Sequence, residues 1–316
     1  MATADQIKTL IKSHFEDDQM RFSTIALQIA AHEAKQGHIS VADEIKKLVD
    51  KSKIKVIKLR PFNDDLNGLV LEIIPKEKLS NLIVDANVKE RIQRILLESK
   101  QKDKLKKHGL DNRRKILLSG PPGTGKTMTA AIFANELQIP LYVILMDKLV
   151  TKFMGETSVK LRYLFESISE RPGVYLFDEF DAIGAERALS NDVGEMRRIL
   201  NSFLQMIEQD DSSSIIIAAT NNLDLLDQAL FRRFDDVIHY SLPTKEEAIN
   251  LIENKLGRYK GRYKLEKLVL DNLSHAEITQ AVLDAIKSAI LNDKDKVDLE
   301  LLKKMINEKR MAYKPA

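Results

Sequence analysis

The chain has 316 residues, 44% of them hydrophobic and 31% charged, which is enough apolar material for a packed core and excludes a predominantly disordered protein. Cysteine is absent, so disulfides and thiolate zinc sites are excluded, and the net charge of +3 does not favour a nucleic-acid partner. No apolar run approaches the ~18 residues of a membrane span, and the N-terminus lacks the apolar core of a signal peptide, so we expect a soluble, cytoplasmic protein without membrane contact.

The first part of the chain shows helical patterning. Apolar side chains over residues 1–53 recur at three- and four-residue spacing, as Ile25 and Ile29 do, and Gly37 interrupts the pattern once. We therefore predict a small helical bundle over residues 1–53. The lysine-rich, proline-containing segment that follows, residues 54–80, is predicted to be a linker.

Residues 81–242 alternate short apolar runs with stretches of helical spacing. Short apolar strands that alternate with helices are typical of a parallel sheet covered on both faces, so we predict an α/β domain with five parallel strands. The strands are predicted at residues 115–119, 141–145, 174–177, 215–219 and 237–240. Over residues 243–316 only helical spacing remains, which predicts a small helical domain.

The strongest chemical signal directly follows the first predicted strand and opens a helix at Met128. Its residues are Gly120, Pro121, Pro122, Gly123, Thr124, Gly125, Lys126 and Thr127. Glycines in this pattern let backbone N–H groups approach phosphate oxygens, and the helix N-terminus adds positive potential. Lys126 can then reach the β- and γ-phosphates of a nucleotide, and Thr127 can ligate Mg²⁺. The motif therefore predicts a nucleoside triphosphate site.

Two acidic residues, Asp178 and Glu179, end the third predicted strand. In a parallel sheet, the carboxyl end of such a strand lies beside the phosphate-binding loop. We expect Asp178 to hold Mg²⁺ and Glu179 to polarise the attacking water. Together with the glycine-rich loop, this pair predicts an enzyme that hydrolyses the bound nucleotide.

These motifs resemble the AAA module of AAA+ ATPases, in the clade that contains membrane-anchored AAA proteases and ubiquitin-pathway unfoldases. The resemblance covers about residues 80–316. It implies a P-loop ATPase with a large α/β domain, a small helical lid domain, and ATP and Mg²⁺ as cofactors. Residues 218–221 resemble the family's sensor 1, which implies that Asn221 orients the attacking water or contacts the γ-phosphate.

A second match concerns arginines that act between subunits. Residues 227–235 resemble the family segment whose arginines reach the neighbouring subunit's ATP, where they stabilise transition-state charge. Two residues that the family often has between these arginines are missing here, so both Arg232 and Arg233 are candidates. An arginine acting on a neighbour implies a ring of identical subunits, and the family's ring is a hexamer.

A third match lies in the predicted helical domain. Residues 272–278 resemble a family segment beside the nucleotide, in which Ala276 stands where many other AAA+ clades carry an arginine, and His275 replaces a glycine. The resemblance implies adenine recognition by Ile83 and Val84 together with Ala276. A buried core pair explains Ile83 and Val84 as well.

Residues 151–157 resemble the pore loop of AAA enzymes that thread polypeptides. The matching residues are Lys152, Phe153, Met154 and Gly155. The resemblance implies that Phe153 grips an extended polypeptide by stacking and apolar contact, which tolerates many sequences. The alternative is a helix face on which Phe153 and Met154 are buried.

The resemblance therefore implies an ATP-hydrolysing unfoldase or remodelling motor that acts on polypeptides, with residues 1–53 binding substrates or adaptors. Stand-alone bacterial proteins of this type are often encoded beside a subtilisin-like protease, which implies a serine protease partner. One alternative is a non-threading assembly factor or switch that remodels a single complex. Another is a DNA-dependent ATPase similar to clamp loaders and initiators, which Ala276 and the aromatic pore loop oppose.

Overall fold

A computed structural model describes residues 19–38, 40–46, 68–149, 154–181, 193–223 and 231–312, with positions 8, 9, 13 and 66. The chain divides into two compact units, Met1–Pro61 and Phe62–Ala316. In the first unit, helix α1 spans Gln19–Lys35 and residues 40–46 are also helical. These two stretches are therefore helical, as predicted. The predicted boundary at residue 53 lies outside the described residues.

The second unit contains an α/β part followed by a helical part. The α/β part consists, in chain order, of β1 (Val70–Ile73), a 3₁₀ turn (Leu79–Asn81), α2 (Ala86–Lys100), α3 (Lys102–Lys106), β2 (Lys115–Ser119), α4 (Lys126–Leu137), β3 (Leu141–Ile144), α5 (Met146–Leu149), α6 (Met154–Glu170), β4 (Val174–Phe177), α7 (Val193–Gln209), β5 (Ile215–Thr220) and β6 (Asp236–His239). The helical part consists of α8 (Lys245–Leu256), a 3₁₀ turn (Gly257–Tyr259), α9 (His275–Leu291) and α10 (Leu299–Ala312). Among the described helices, none has the length and apolar character to cross a membrane.

The strands form one sheet in the order β1-β3-β4-β5-β2-β6. Strands β2 to β6 pair in parallel and lie within one residue of their predicted ends, so the α/β prediction is confirmed. These strands were predictable because helices cover both faces of the sheet. Strands that are buried on both faces are continuous apolar runs in the sequence.

The prediction of five strands is corrected by a sixth, β1, which pairs antiparallel with β3 at the sheet edge. It lies inside the segment predicted to be a linker, so that prediction is wrong for Val70–Ile73. An edge strand needs no continuous apolar cover, and the side chains of Leu71 and Ile73 remain 46% and 42% exposed. Residues 69–74 nevertheless form an apolar run interrupted only by Glu72, a strand signal that the linker interpretation overlooked.

Each face of the sheet packs against different helices. Leu118 and Ile217 belong to a buried cluster that also contains Ile92 of α2 and Phe133 of α4. On the other face, the ring of Phe177 lies 5.0 Å from that of Phe203 in α7, in an edge-to-face contact. The two layers hold the carboxyl ends of the parallel strands in fixed positions, and the functional residues follow those ends.

The helical part has its own core, which includes Leu251, Ile278 and Leu302 from its three helices. Helices α8 and α9 begin with capping boxes, in which the N-cap residues Thr244 and Ser274 exchange hydrogen bonds with a glutamate three residues later. These caps define where α9 starts, which matters because its first turn borders the candidate site.

Candidate functional site

The glycine-rich loop connects β2 to α4 and requires glycine for two physical reasons. Gly120 and Gly125 have φ angles of +139° and +107°, in a region that side chains disfavour. At Gly120 the space is also closed, because a Cβ atom would lie 2.2 Å from the carbonyl oxygen of Tyr240. The loop can therefore turn sharply after β2 and present its backbone at the N-terminus of α4.

Lys126 lies at the centre of this loop. Its Nζ donates hydrogen bonds to the carbonyl oxygens of Gly120 at 2.6 Å and Pro121 at 2.9 Å, and to Oδ1 of Asn221 at 2.9 Å. Burial of the side chain lowers the pKa of Lys126, and the charges of Asp178 and Asp181 oppose that shift. The ammonium group is thus held by the loop itself, next to the residue predicted as sensor 1.

The acidic pair at the end of β4 lies opposite the loop. Thr127 Oγ1 donates a hydrogen bond to Asp178 Oδ2 at 2.7 Å, and the Glu179 N–H donates to Asp178 Oδ1 at 2.9 Å. Glu179 has a φ of +54°, an uncommon conformation for a residue with a side chain, and its side chain is exposed. Buried Phe180 stabilises this turn by donating its N–H to Ala219 at 2.8 Å.

The oxygen atoms of Thr127 and Asp178 fit a magnesium ion that is shared with a nucleotide. Mg²⁺ prefers oxygen ligands and is usually held by one or two protein groups together with phosphates and water. Within the described ranges, no cluster of three or more histidine, cysteine, aspartate or glutamate residues could hold a metal by itself. The site therefore offers the partial ligand set that a nucleotide-bound Mg²⁺ needs.

Asn221 directly follows β5 and contacts residues of both the glycine-rich loop and the acidic turn. Its side-chain oxygen accepts from Lys126, and its N–H donates to Asp181 Oδ1 at 3.3 Å. A neighbouring cavity of about 250 Å³ is lined by Gly120, Pro121, Asn221 and His239 among others. Asn221 thus lies between the loop and the acidic turn, where a γ-phosphate would be placed.

Most of the predicted site residues line one cavity. Its volume of about 520 Å³ is typical of small-molecule sites. Its polar end is formed by the loop and by Asp178, Glu179 and Asn221, and its apolar end by Leu82, Ile83 and Leu251. The predicted loop residues that line it are Pro122, Gly123, Thr124, Gly125, Lys126, Thr127 and Met128. A charged end joined to an apolar end matches the phosphates and base of a nucleotide.

The two residues predicted to recognise adenine separate in the structure. Ile83 lines the cavity and packs against the core of the helical part, whereas Val84 packs against the core of the α/β part and does not line the cavity. Adjacent residues of an extended segment point their side chains to opposite sides. Ala276 also lines the cavity, and adenine recognition by Ile83, Val84 and Ala276 stays a prediction.

Several cavity residues were missed by sequence reasoning. They are Asn81, Leu82, Leu251, Lys255, His275 and Thr279. They belong to the segment before α2 and to α8 and α9, which carry no nucleotide motif and reach the loop only through tertiary packing. The resemblance of residues 272–278 to a nucleotide-side segment was the one signal that pointed to part of this set.

The first turn of α9 rests directly on the glycine-rich loop. The Ala276 N–H donates to the Gly123 carbonyl oxygen at 3.0 Å, although the two residues are far apart in sequence. A Cβ atom on Gly123 would lie 2.7 Å from Ser274 Oγ and 3.0 Å from the Ala276 Cβ. The contact links the helical part to the glycine-rich loop with no room for a side chain at Gly123.

Gly123→Ala should therefore weaken ATP binding and slow hydrolysis by pushing α9 away from the loop. The left-handed backbone at Gly123, with φ of +73°, adds a strain of about 1–2 kcal/mol for alanine. Gly109→Ala is the matched control, because its φ is +70° but nothing lies within 4 Å of the added atom. Both variants should lose stability in thermal unfolding, and only Gly123→Ala should lose ATP affinity in calorimetric titration. Equal affinities would contradict a functional contact.

The candidate arginines lie before β6 and differ in their surroundings. Arg233 forms an ion pair with Glu208. Arg232 is exposed and has no ion pair with any residue of the described ranges. Neither arginine lines the cavity of its own chain. The action of either arginine on a neighbouring subunit stays a prediction.

The predicted pore loop spans residues 151–157, of which the structure describes only those at the start of α6. Lys152 and Phe153 lie outside the described residues, and so does the side chain of Met154. The backbone of the latter two begins α6. The role of all four residues in gripping a polypeptide stays a prediction.

A family model and a similar protein both relate this chain to the AAA ATPases. Residues 116–242 match the ATPase family associated with various cellular activities (AAA). An uncharacterized AAA family ATPase of Sinorhizobium fredii is 31% identical over 306 residues, covering 94% of this chain and 92% of that protein.

Two further relatives are proteasome-activating nucleotidases. Those of Methanocella arvoryzae and Saccharolobus solfataricus are 37% and 35% identical over 195 and 206 residues. The alignments cover 58% and 61% of this chain, and 46% and 52% of the nucleotidases. The chain therefore spans about half the length of these two relatives.

Proposed function

Because the chain belongs to the AAA family of ATPases and hydrolyses ATP, we propose that it works as a ring-forming motor that unfolds or remodels polypeptides. The observation that carries this proposal is the position of Arg232, which is exposed, unpaired within the described residues and outside the cavity of its own chain. The names of the proteasome-activating relatives support polypeptides as the substrate class.

In the proposed reaction, the triphosphate lies along the glycine-rich loop with Lys126 at its β- and γ-phosphates. Thr127 and Asp178 would hold Mg²⁺, which would neutralise charge on the phosphates. Glu179 accepts a proton from the attacking water, and Asn221 positions that water or the γ-phosphate. The proposal is supported by the 2.7 Å bond between Thr127 and Asp178 and by the contact of Asn221 with Lys126.

The proposed ring brings Arg232 or Arg233 of one subunit to the ATP of the next. A positive charge supplied in this way stabilises the transition state, and it makes hydrolysis dependent on assembly. Arg232 is favoured because it forms no ion pair with the described residues, whereas Arg233 is already engaged by Glu208. We propose six subunits because the AAA resemblance implies a hexamer.

Hydrolysis can be coupled to movement through the contact of α9 with the loop. The Ala276–Gly123 hydrogen bond makes the position of the helical part depend on the shape of the loop. A change at the phosphates would therefore alter the angle between the α/β and helical parts, and a ring passes such a change to the next subunit. Delivery of the polypeptide to a separate serine protease is part of the same proposal.

The threading step is tested at Phe153. Phe153→Ala should keep most of the ATP hydrolysis rate and abolish unfolding of a fluorescent model substrate, because alanine removes the aromatic surface that grips the chain. Phe153→Tyr is the matched control and should retain unfolding. The readouts are phosphate release and loss of fluorescence under the same conditions.

Unimpaired unfolding by Phe153→Ala would contradict threading and favour an assembly factor that acts on one complex. Equal loss of hydrolysis and unfolding would instead indicate that Phe153 packs within the subunit.

A further inference from the structure

A strongly basic segment follows α8 in the helical part. It spans residues 258–267 and is called the cationic segment below. It begins in the 3₁₀ turn and continues without further helix. Against one acidic residue, Glu266, it contains five cations, which are Arg258, Lys260, Arg262, Lys264 and Lys267. No residue of the segment lines the cavity proposed to bind ATP, so the nucleotide site does not account for this charge.

Apolar contacts hold the segment in place. The rings of Tyr259 and Tyr263 pack against the core of the helical part, and Leu265 is buried in that core. Gly261 lies between the two tyrosines, where a Cβ atom would approach the Tyr263 ring to 2.6 Å and the Val297 carbonyl oxygen to 2.8 Å. The Val297 N–H donates to the Tyr259 carbonyl oxygen at 2.9 Å. The path of the segment is therefore fixed by packing, although it is not helical.

The cations differ in how far the protein itself engages them. Lys260 forms an ion pair with Glu253, and the Arg258 guanidinium lies 4.9 Å from the centre of the Tyr259 ring. Arg262, Lys264 and Lys267 are exposed and form no ion pair with any residue that the structure describes.

An additional cation reaches the segment from the loop before α10. The Lys296 ammonium group donates to the Arg258 carbonyl oxygen. Neighbouring like charges repel one another, so a surface of this kind gains from a partner that supplies negative charge.

Nucleic acid is one partner with negative charge, but the surroundings of the segment do not favour it. Proteins that bind single strands usually offer exposed aromatic rings on which bases stack, whereas Tyr259 and Tyr263 pack against the core. Proteins that read a duplex place a helix or a two-stranded ribbon in a groove, and the cationic segment is neither.

An acidic polypeptide fits the spacing of the cations better. Cations occupy every second position from residue 258 to residue 264, and the backbone at Lys260 is extended and bridges to Val297. An extended polypeptide places the side chains of one face two residues apart, at a spacing of about 6.6–6.8 Å. Carboxylates on such a chain can therefore meet successive cations of the segment.

We propose that the cationic segment is a docking surface for an acidic stretch of a partner polypeptide. Arg262, Lys264 and Lys267 pair with its carboxylates, and the planar guanidinium of Arg262 can bind one carboxylate through two hydrogen bonds. The inference extends the proposed function by naming the charge of the polypeptides that are recruited, and it rests on that function only for the unfolding that follows docking.

The test measures binding of fluorescent decaglutamate to the full chain by anisotropy, without nucleotide. Wild-type protein should bind decaglutamate and not decaglutamine, and added salt should weaken binding because it screens exposed charges. Arg262→Gln/Lys264→Gln/Lys267→Gln should bind decaglutamate about 5- to 50-fold more weakly, the size expected for the loss of three exposed ion pairs. Its rate of ATP hydrolysis should be unchanged, because none of the three residues lines the cavity.

Lys102→Gln/Lys104→Gln/Lys106→Gln is the matched control. These three lysines of α3 are also exposed and form no ion pair within the described ranges, so the control removes the same charge from another surface. It should keep the wild-type affinity for decaglutamate. Should the first triple variant fail to fold by circular dichroism, Lys264→Gln/Lys267→Gln provides the same comparison with a smaller expected loss.

Equal weakening in the two triple variants would show that binding follows net charge alone and would overturn the proposal. Unchanged affinity after loss of Arg262, Lys264 and Lys267 would overturn it as well. Tighter binding of single-stranded oligothymidylate than of decaglutamate would do so too, and would indicate a nucleic-acid surface. Failure of the motor in the Phe153→Ala experiment would leave decaglutamate binding unchanged, so failure of the proposed function and failure of this inference are distinguishable.

Discussion

Glu179→Gln should slow ATP hydrolysis by about 10²–10⁴-fold while ATP binding persists. The side chain of Glu179 is exposed to the cavity, whereas the neighbouring Asp178 already accepts hydrogen bonds from Thr127 and from the Glu179 backbone. Glutamine keeps the shape but cannot accept the proton of the attacking water. Phosphate release measures the rate, and calorimetric titration measures the affinity.

Glu308→Gln is the control for this result, because Glu308 is exposed in α10 and does not line the cavity. It should hydrolyse ATP at the wild-type rate. Ordinary turnover by Glu179→Gln would mean that another group is the base. The inactive variant loaded with ATP also serves as a trap, and a serine protease recovered with it would support the proposed partner.

Arg232→Ala should slow hydrolysis by roughly 10³-fold or more, within the range known for arginines that stabilise phosphoryl transfer. Arg233→Ala should have a smaller effect, because Arg233 is held by Glu208 whereas Arg232 has no ion pair with the described residues. Both variants should bind ATP normally, since neither residue lines the cavity of its own chain. The comparison uses steady-state phosphate release at equal subunit concentration.

Mixed rings test whether the arginine acts between subunits. Subunits with Arg232→Ala keep Glu179, and subunits with Glu179→Gln keep Arg232, so a mixture should be more active than either variant alone. No recovery in mixed rings of normal size would indicate that Arg232 acts within its own chain. A larger loss in Arg233→Ala than in Arg232→Ala would reverse the assignment.

Local motifs were enough to predict most of the polar end of the site. The loop residues, Asp178, Glu179 and Asn221 all follow apolar strands, and the carboxyl ends of parallel strands meet at one edge of a sheet. The pattern of apolar strands and the identity of the residues that follow each strand were therefore enough to predict where these residues lie.

The apolar end of the cavity could not be predicted in the same way. Leu251 and Thr279 line the cavity but belong to no motif. In the sequence, an apolar or small polar residue on a helix cannot be distinguished from an ordinary core residue. Whether such residues meet a ligand depends on how the helical part rests on the loop. The opposite directions of Ile83 and Val84 likewise become visible only when both cores are present.

By itself, the sequence determined the parallel strands, the glycine-rich loop and the acidic turn, because each is marked by a pattern within one short stretch of the chain. Only the tertiary structure decided that β1 joins the sheet, that Gly123 contacts Ala276, and that His275 borders the cavity. These features join segments distant in the chain. Their energies come from packing and hydrogen bonds that exist only once the segments have met, so local patterns carry little trace of them.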